Sequence, residues 1–105
     1  MITPQVTVQT NDGGVLVVAC SGDFDMDTTN LLGEACSRLA PGEPLVVDAT
    51  QVSFADSSFL NALIQLQNNR PLALQGPLPD QLRRLMEMTG SLTLFAIRHH
   101  ADPAG

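Results

Sequence analysis

The sequence of 105 residues contains no tryptophan, no tyrosine and no lysine, and only four phenylalanines and two cysteines. Because large aromatic side chains are scarce, the interior must be built mainly from aliphatic side chains. Two cysteines offer no zinc-ligand spacing, and a chain of this length buries a core without disulfides. We therefore predict that Cys20 and Cys36 are buried thiols in a reducing compartment. A disulfide between them is the alternative.

Positive charge is scarce as well, since eleven Asp and Glu stand against five Arg and give a net charge of −6. Such a surface repels nucleic-acid phosphates and anionic membranes, so we expect no nucleic-acid partner and a basic protein surface as the counterpart. The longest apolar run, Val15–Cys20, is far shorter than the roughly 20 residues that span a bilayer. The first five residues carry no secretion signal. We expect a cytoplasmic protein without membrane insertion.

The chain does contain short apolar segments separated by turn and cap residues, with 44% hydrophobic and 15% charged residues overall. Asn11–Gly14 is a hairpin signal, because Asn, Asp and Gly tolerate positive φ. Asp27 is the predicted N-cap of a first helix, Pro79 the first residue of a third, and Gly90 the glycine that ends it. Five strands are predicted: one around Val6 and Val8, then Val15–Cys20 closed by Gly22, Leu45–Ala49, Pro71–Leu74 and Leu92–Ile97. Three helices are predicted: one near Thr28 to Leu39, one from about Ser57 or Ser58 to Asn68, and one that starts at Pro79.

This order, β-β-α-β-α-β-α-β, predicts an α/β fold. Right-handed crossovers give mostly parallel strand neighbours after the opening hairpin. Each helix has a single apolar stripe, so the three helices can cover one face of a sheet. We expect residues 1–105 to form one domain, with a mixed, mostly parallel sheet of about five strands and helices packed on one face. Residues 98–105 are expected to form a flexible tail.

The most informative segment runs from Leu45 to Leu60. It is typical of a buried strand, a short loop and then Asp56, Ser57 and Ser58 opening a helix. The N-terminus of a helix presents free N–H groups and the positive end of the helix dipole, and both favour an anion. The chain has no Gly-rich phosphate loop, so the pattern suggests a phosphate carried covalently on a serine. Capping alone also explains the triplet, because Asp and Ser are favoured N-caps.

Four segments resemble the STAS domains of bacterial anti-sigma factor antagonists, in family order and over nearly the whole chain. Ser21–Asp25 is similar to the Gly-Glu-Leu-Asp segment of the family, and Val46–Thr50 to the strand before the site. Phe54–Ser58 resembles the diagnostic Asp-Ser-Ser site. Pro79–Ile97 resembles the helix that ends in Leu-Glu-Leu-Thr-Gly and the Leu-Phe-containing strand after it. Together the four segments are specific for this family. Taken one at a time, only the Asp-Ser-Ser site and the Thr-Gly ending would be strong indications of it.

The resemblance implies a partner switch. The unphosphorylated protein would bind an anti-sigma factor that is also a serine kinase, and so free a sigma factor. Phosphorylation of Ser58 would break the complex, and a serine phosphatase would reset the switch. The resemblance further implies that partner binding and support of the site fall to Asp23, Asp25, Asp56, Ser57, Phe59 and Leu60. We expect the free protein to be a monomer.

Phe59 departs from the family, which usually has glycine after the phosphorylated serine. Glycine lets another backbone approach closely. A phenylalanine in the first helical turn is therefore either an obstacle to a kinase or itself a binding anchor. It slightly favours a second function, that of a non-switching STAS subunit or scaffold of a transporter ATPase or signalling assembly, in which the serine need not be modified.

Two further readings have less support in the sequence. The first is a nucleotide-binding sensor module, but the chain has no Gly-rich motif that could cradle a phosphate. The second is catalysis by the chain itself. It is not expected, because Ser57 and Ser58 have no internal histidine as a base, and the only two histidines, His99 and His100, lie near the end of the sequence. We expect no cofactor and no metal.

Overall fold

The computed structural model describes residues 2–40 and 42–98. After an opening hairpin, strands and helices alternate in the predicted order, and a 3₁₀ turn at Leu92–Leu94 precedes the last strand. The elements are β1 (Gln5–Thr10), β2 (Leu16–Phe24), α1 (Asn30–Ser37), β3 (Leu45–Ala55), α2 (Ser57–Asn69), β4 (Leu72–Gln75), α3 (Asp80–Thr89) and β5 (Ala96–Arg98).

The five strands form one sheet in the order β1-β2-β3-β4-β5. β1 and β2 are antiparallel, and the turn between them is held by Asn11, whose side-chain oxygen accepts the N–H groups of Gly13 and Val15 at 2.9 and 3.0 Å. β2, β3, β4 and β5 are parallel neighbours. The expected mixed, mostly parallel sheet is confirmed, and its four parallel strands all point their carboxyl ends the same way.

The core lies on one face of this sheet. Val18, Val47 and Leu74 are aligned across β2, β3 and β4, and each has no exposed surface. The same cluster contains buried residues from all three helices, namely Leu32, Cys36, Phe59, Leu60, Leu63, Leu82 and Met86. The three helices therefore pack on one face, as the single apolar stripe of each predicts.

The ends of α3 show why it starts and stops where it does. Pro79 is the N-cap of α3, one position before the predicted place, since its fixed φ and missing N–H suit a helix start. Gly90 ends the helix with a φ of 73°, a value that glycine adopts at little cost, and this prediction is confirmed. None of the helices within the described residues is both long and apolar enough to cross a membrane.

β2 and β3 extend further than the sequence pattern predicts. Gly22 does not end β2, which continues to Phe24. Gly22 has a φ of 88°, and a Cβ at this position would overlap the carbonyl oxygen of Thr3, so the glycine is required for close backbone approach. The predicted loop after Ala49 is also wrong, because the longer β2 gives β3 a partner as far as Ala55.

Three further predictions need correction. Asp27 is not the N-cap of α1: Thr29 holds that position and Asp27 lies exposed in the preceding turn. The last strand is short because residues 92–94 form a 3₁₀ turn, in which the Leu94 N–H donates to the Ser91 carbonyl at 2.9 Å. Arg98 belongs to β5 rather than to the predicted tail, and residues 99–105, including the two histidines, lie outside the described residues.

Candidate functional site

The carboxyl ends of β2 and β3 bring two loops side by side. Phe24 and Ala55 are paired at the ends of these strands, and the N–H of Asp56 donates to the carbonyl of Phe24 at 3.3 Å. The loop to α1 starts with Asp25, and the helix α2 starts directly after Asp56. The sheet therefore places the two acidic loop residues next to each other in neighbouring connections, as parallel strands with following helices require.

Asp56 is the N-cap of α2. Its backbone is extended, with φ −109° and ψ −172°, and its carboxylate accepts the N–H groups of Ser58 at 2.9 Å and Phe59 at 3.4 Å. Its carbonyl accepts the N–H of Leu60 at 3.3 Å, which starts the helix. One residue thus satisfies free donors of the first turn through both its side chain and its backbone. The alternative that the Asp-Ser-Ser segment caps a helix is therefore correct for Asp56.

The two serines that follow the cap differ in accessibility. Ser57 is exposed, and Ser58 is partly buried. Asp56 takes the backbone N–H of Ser58, but within residues 2–40 and 42–98 neither serine hydroxyl takes part in a hydrogen bond. Capping by Asp56 therefore uses neither hydroxyl group, and both serines lie in the first turn of α2, at the positive end of its dipole.

Phe59 and Leu60 lie beneath this segment. Phe59 has no exposed surface and Leu60 only 4%. The ring of Phe59 packs against that of Phe24, with centroids 5.0 Å apart and planes tilted by 42°, a favourable aromatic geometry. The expectation that Phe59 is an obstacle or an anchor at the surface is wrong for its side chain, because the ring fills the core. Both residues support the site from below.

Asp23 holds the N-terminal segment against β2. Its N–H donates to the carbonyl of Ile2 at 3.0 Å, and its carboxylate accepts the N–H of Ile2 at 3.1 Å. Together with the backbone of Thr3 over Gly22, these bonds fix residues 2 and 3 beside the end of β2. Asp23 thus has a structural task close to the site.

Asp25 organises the turn that leads into α1. Its carboxylate accepts the N–H groups of Asp27 at 2.9 Å and Thr28 at 3.1 Å, and the hydroxyl of Thr28 at 3.0 Å. Its carbonyl also accepts the N–H groups of Thr28 and Thr29. The Thr28 hydroxyl, followed by the backbone N–H groups of Asp27 and Thr28 that the carboxylate accepts, holds the pKa of the Asp25 carboxyl below its ordinary value. Asp25 thus holds the turn that precedes α1, whereas the N-cap position itself belongs to Thr29.

Gln81 is a residue at this site that the sequence analysis missed. β4 ends at Gln75 and pairs with β3 only as far as Asp48, so the far half of β3 has no strand on that side. The side-chain amide of Gln81 fills part of this gap: its oxygen accepts the N–H of Ala55 at 2.9 Å, and its nitrogen donates to the carbonyl of Ala55 at 2.7 Å. No local signal in the sequence announces this contact between residues 26 positions apart.

Cys20, Cys36 and Asp48 lie in surroundings that explain them by burial or by local hydrogen bonds. Cys20 and Cys36 are buried free thiols, as predicted. Burial raises the pKa of Cys20 to about 12 and also raises that of Cys36, so neither is a nucleophile near neutral pH. Asp48 accepts the N–H and hydroxyl of Thr50 at 2.9 and 2.6 Å. Among the described residues, no three His, Cys, Asp or Glu side chains are grouped as metal ligands.

Comparison with protein families gives one match that covers most of the chain. The family model described as "Mlab, STAS domain" matches residues 7–95. This span includes both loops, the Asp-Ser-Ser segment and the whole of α3. No curated protein matches the sequence.

Two solved structures share the fold. The crystal structure of an anti-sigma factor antagonist from Mycobacterium paratuberculosis is 25% identical, with a TM-score of 0.69 over 97% of this chain and 91% of that one. The anti-sigma factor antagonist SpoIIAA in its unphosphorylated form is 14% identical, with a TM-score of 0.70 over 95% of this chain and 91% of that one. The second likeness shows the fold alone.

Proposed function

Because the chain belongs to the STAS domain family, we propose that it is an anti-sigma factor antagonist that is switched by phosphorylation of Ser58. In this proposal the unphosphorylated protein binds an anti-sigma factor with serine kinase activity, and this binding frees a sigma factor. The observation that carries the proposal is the first turn of α2, where Asp56 supplies the cap and leaves the hydroxyl of Ser58 without a hydrogen bond in the described structure. The antagonist from Mycobacterium paratuberculosis supports the choice of partner.

The physical effect of the switch is local. A phosphate on Ser58 adds roughly −1.5 to −2 charges at neutral pH. The positive end of the α2 dipole tolerates this charge, so the fold survives it. The carboxylate of Asp56 lies within hydrogen-bonding distance of the Ser58 backbone, and Asp25 lies in the neighbouring connection. The phosphate thus adds charge and bulk at one point of the surface. It repels an acidic group that faces Ser58 in a partner whose surface is otherwise basic, and this needs no large conformational change.

The burial of Phe59 bears on kinase access. Its ring lies in the core against Phe24 and contributes no exposed surface, so the side chain does not cover Ser58. The position that departs from the family pattern is therefore compatible with phosphorylation. In this proposal catalysis belongs to the kinase and to a serine phosphatase that resets the switch. Residues 2–40 and 42–98 contain no histidine that could serve the serines as a base.

Capture from a lysate of the native host with three variants tests the proposal. We expect wild type and Ser58→Ala to retain a protein with serine kinase activity. Ser58→Glu should reduce this retention by at least about tenfold, since like charges placed opposite each other across an interface cost several kcal/mol. Ser53→Glu is the matched control, because Ser53 is an exposed serine near the end of β3 and carries the same added charge. It should behave as wild type.

Mass spectrometry of wild type incubated with the captured kinase and ATP gives the second readout. The phosphate should appear on Ser58 and be absent from Ser58→Ala. Equal retention of one partner by wild type and Ser58→Glu would contradict the switch. A transporter ATPase or a scaffold retained in this way would identify the non-switching STAS subunit as the correct alternative.

A further inference from the structure

The end of β3 is fixed on both of its sides, but only one side is fixed by a strand. Towards β2, the N–H of Asp56 donates to the carbonyl of Phe24. Away from β2, both backbone groups of Ala55 bind the side-chain amide of Gln81, at 2.9 and 2.7 Å. Ala55 directly precedes the cap residue of α2, and Ser58 follows three residues later.

We propose that Gln81 is a positioning residue for the Ser58 phosphoacceptor, acting through the backbone of Ala55. This inference rests on the proposed phosphorylation of Ser58. Gln81 replaces the strand neighbour that β4 is too short to provide and so sets the direction in which the chain enters the cap. Through it, the first turn of α3 is joined to the end of β3, directly before the N-cap residue of α2.

The side-chain type matters for this task. A carboxamide carries a donor and an acceptor on one carbon, as a peptide group does, and can therefore pair with both the N–H and the carbonyl of one residue. A glutamate at position 81 accepts the N–H of Ala55 but cannot donate when ionised. A methionine keeps nearly the same length and shape with only a weak acceptor. Gln81→Met therefore removes the pairing while leaving most of the packing.

The experiment compares Gln81→Met with Gln67→Met in the full chain. Gln67 is the matched control because it also uses its amide to bind a distant backbone group, donating to the carbonyl of Leu94 at 2.7 Å, but near the other end of α2. The first readout is the hydrogen-exchange rate of the Ser58 and Phe59 amides, which bind Asp56 and not Gln81. The amide of Val47, in the part of β3 that lies between β2 and β4, reports any change in global stability and serves as the reference.

We expect Gln81→Met to raise the exchange of Ser58 and Phe59 relative to Val47 by about tenfold, the effect of losing one to two hydrogen bonds. Gln67→Met should leave this ratio unchanged. The second readout is the rate of Ser58 phosphorylation by the captured host kinase, which should fall by at least about tenfold in Gln81→Met only, since small misplacements of a reacting group cost rate steeply.

An unchanged exchange ratio in Gln81→Met overturns the inference, and so does a raised ratio with an unchanged phosphorylation rate. The proposed function would be contradicted by a different result, namely that no kinase fraction of the host phosphorylates the wild-type protein. In that case the exchange ratio still decides whether Gln81 holds the segment before Ser58. The two failures are therefore distinguishable.

Discussion

At the scale of single residues, the pair formed by Phe24 and Phe59 decides how the candidate site is supported. Phe59 occupies a position where the family usually has glycine, yet its ring is fully buried and in contact with Phe24. The aromatic side chain thus adds core volume directly after Ser58, the proposed phosphoacceptor. This is why Phe59 contributes to stability and not to surface recognition.

A substitution measures this contribution. We expect Phe59→Ala to lower the free energy of unfolding by about 3–5 kcal/mol, because it removes a buried ring and leaves a cavity. The measurement is urea denaturation followed by circular dichroism. Met88→Ala, at a side chain that is 80% exposed, is the control and should stay within about 0.5 kcal/mol of wild type. A loss in Phe59→Ala no larger than in this control would show that the ring does not fill the core.

At the scale of elements, the turn between β2 and α1 depends on one ionised carboxylate. Asp25 holds the turn through hydrogen bonds to Asp27 and Thr28, and they keep its pKa below the ordinary value. A carboxyl whose pKa is lower in the folded than in the unfolded state stabilises the fold above its unfolded pKa. This contribution is lost as the pH falls through its lowered folded pKa.

The pH dependence of stability therefore contains a signature of this turn. Wild type should be more stable than Asp25→Asn at neutral pH, and the difference should shrink as the pH falls below about 4, near the ordinary pKa of an aspartate. Urea midpoints of both proteins across the pH range from neutral to acidic provide the measurement. A difference that stays constant across this range would rule out a contribution from ionised Asp25.

The same elements show which parts of the fold a sequence reveals. The hairpin at Asn11, the cap at Asp56 and the glycine at position 90 were predictable, because each depends on residues next to it in the chain. The extension of β3 to Ala55 was not predictable, because its hydrogen-bonding partners are supplied by β2. Tertiary pairing overrode the local pattern there.

The candidate site divides in the same way. The Asp-Ser-Ser segment could be found from residue type and order, whereas the pairing of Gln81 with Ala55 joins residues that only the fold brings together. The burial of Phe59 also required the structure, since its neighbour Phe24 lies on another element. The Asp-Ser-Ser segment was therefore predictable from the sequence, whereas the contacts that Gln81 and Phe59 make around it were not.

At the scale of the whole molecule, the acidic balance of the chain governs how it meets a partner. The net charge is −6, and the candidate site lies among aspartates at one end of the sheet. Long-range attraction to a basic partner accelerates association and is screened by salt. A partner of opposite charge should therefore bind this protein faster than diffusion of neutral molecules allows.

This leads to an expected salt dependence of the association rate with the captured anti-sigma factor. Raising the ionic strength from about 0.01 M to about 0.1 M shortens the Debye length from about 30 Å to about 10 Å. We expect the association rate to fall by at least about tenfold over this range, while the dissociation rate changes less. Stopped-flow measurements give both rates, and a salt-independent association rate would exclude electrostatic steering.

The attachment of residues 2 and 3 to β2 has a practical consequence for assays. Asp23 binds the backbone of Ile2, and Thr3 passes over Gly22, so the start of the described chain lies beside the end of β2 that also carries the candidate site. A fluorophore, an affinity tag or a sensor surface coupled there would stand next to the candidate site and would interfere with the proposed binding of a partner. A label on the turn between β1 and β2 instead lies at the opposite end of β2 from Phe24 and leaves the end of β3 clear.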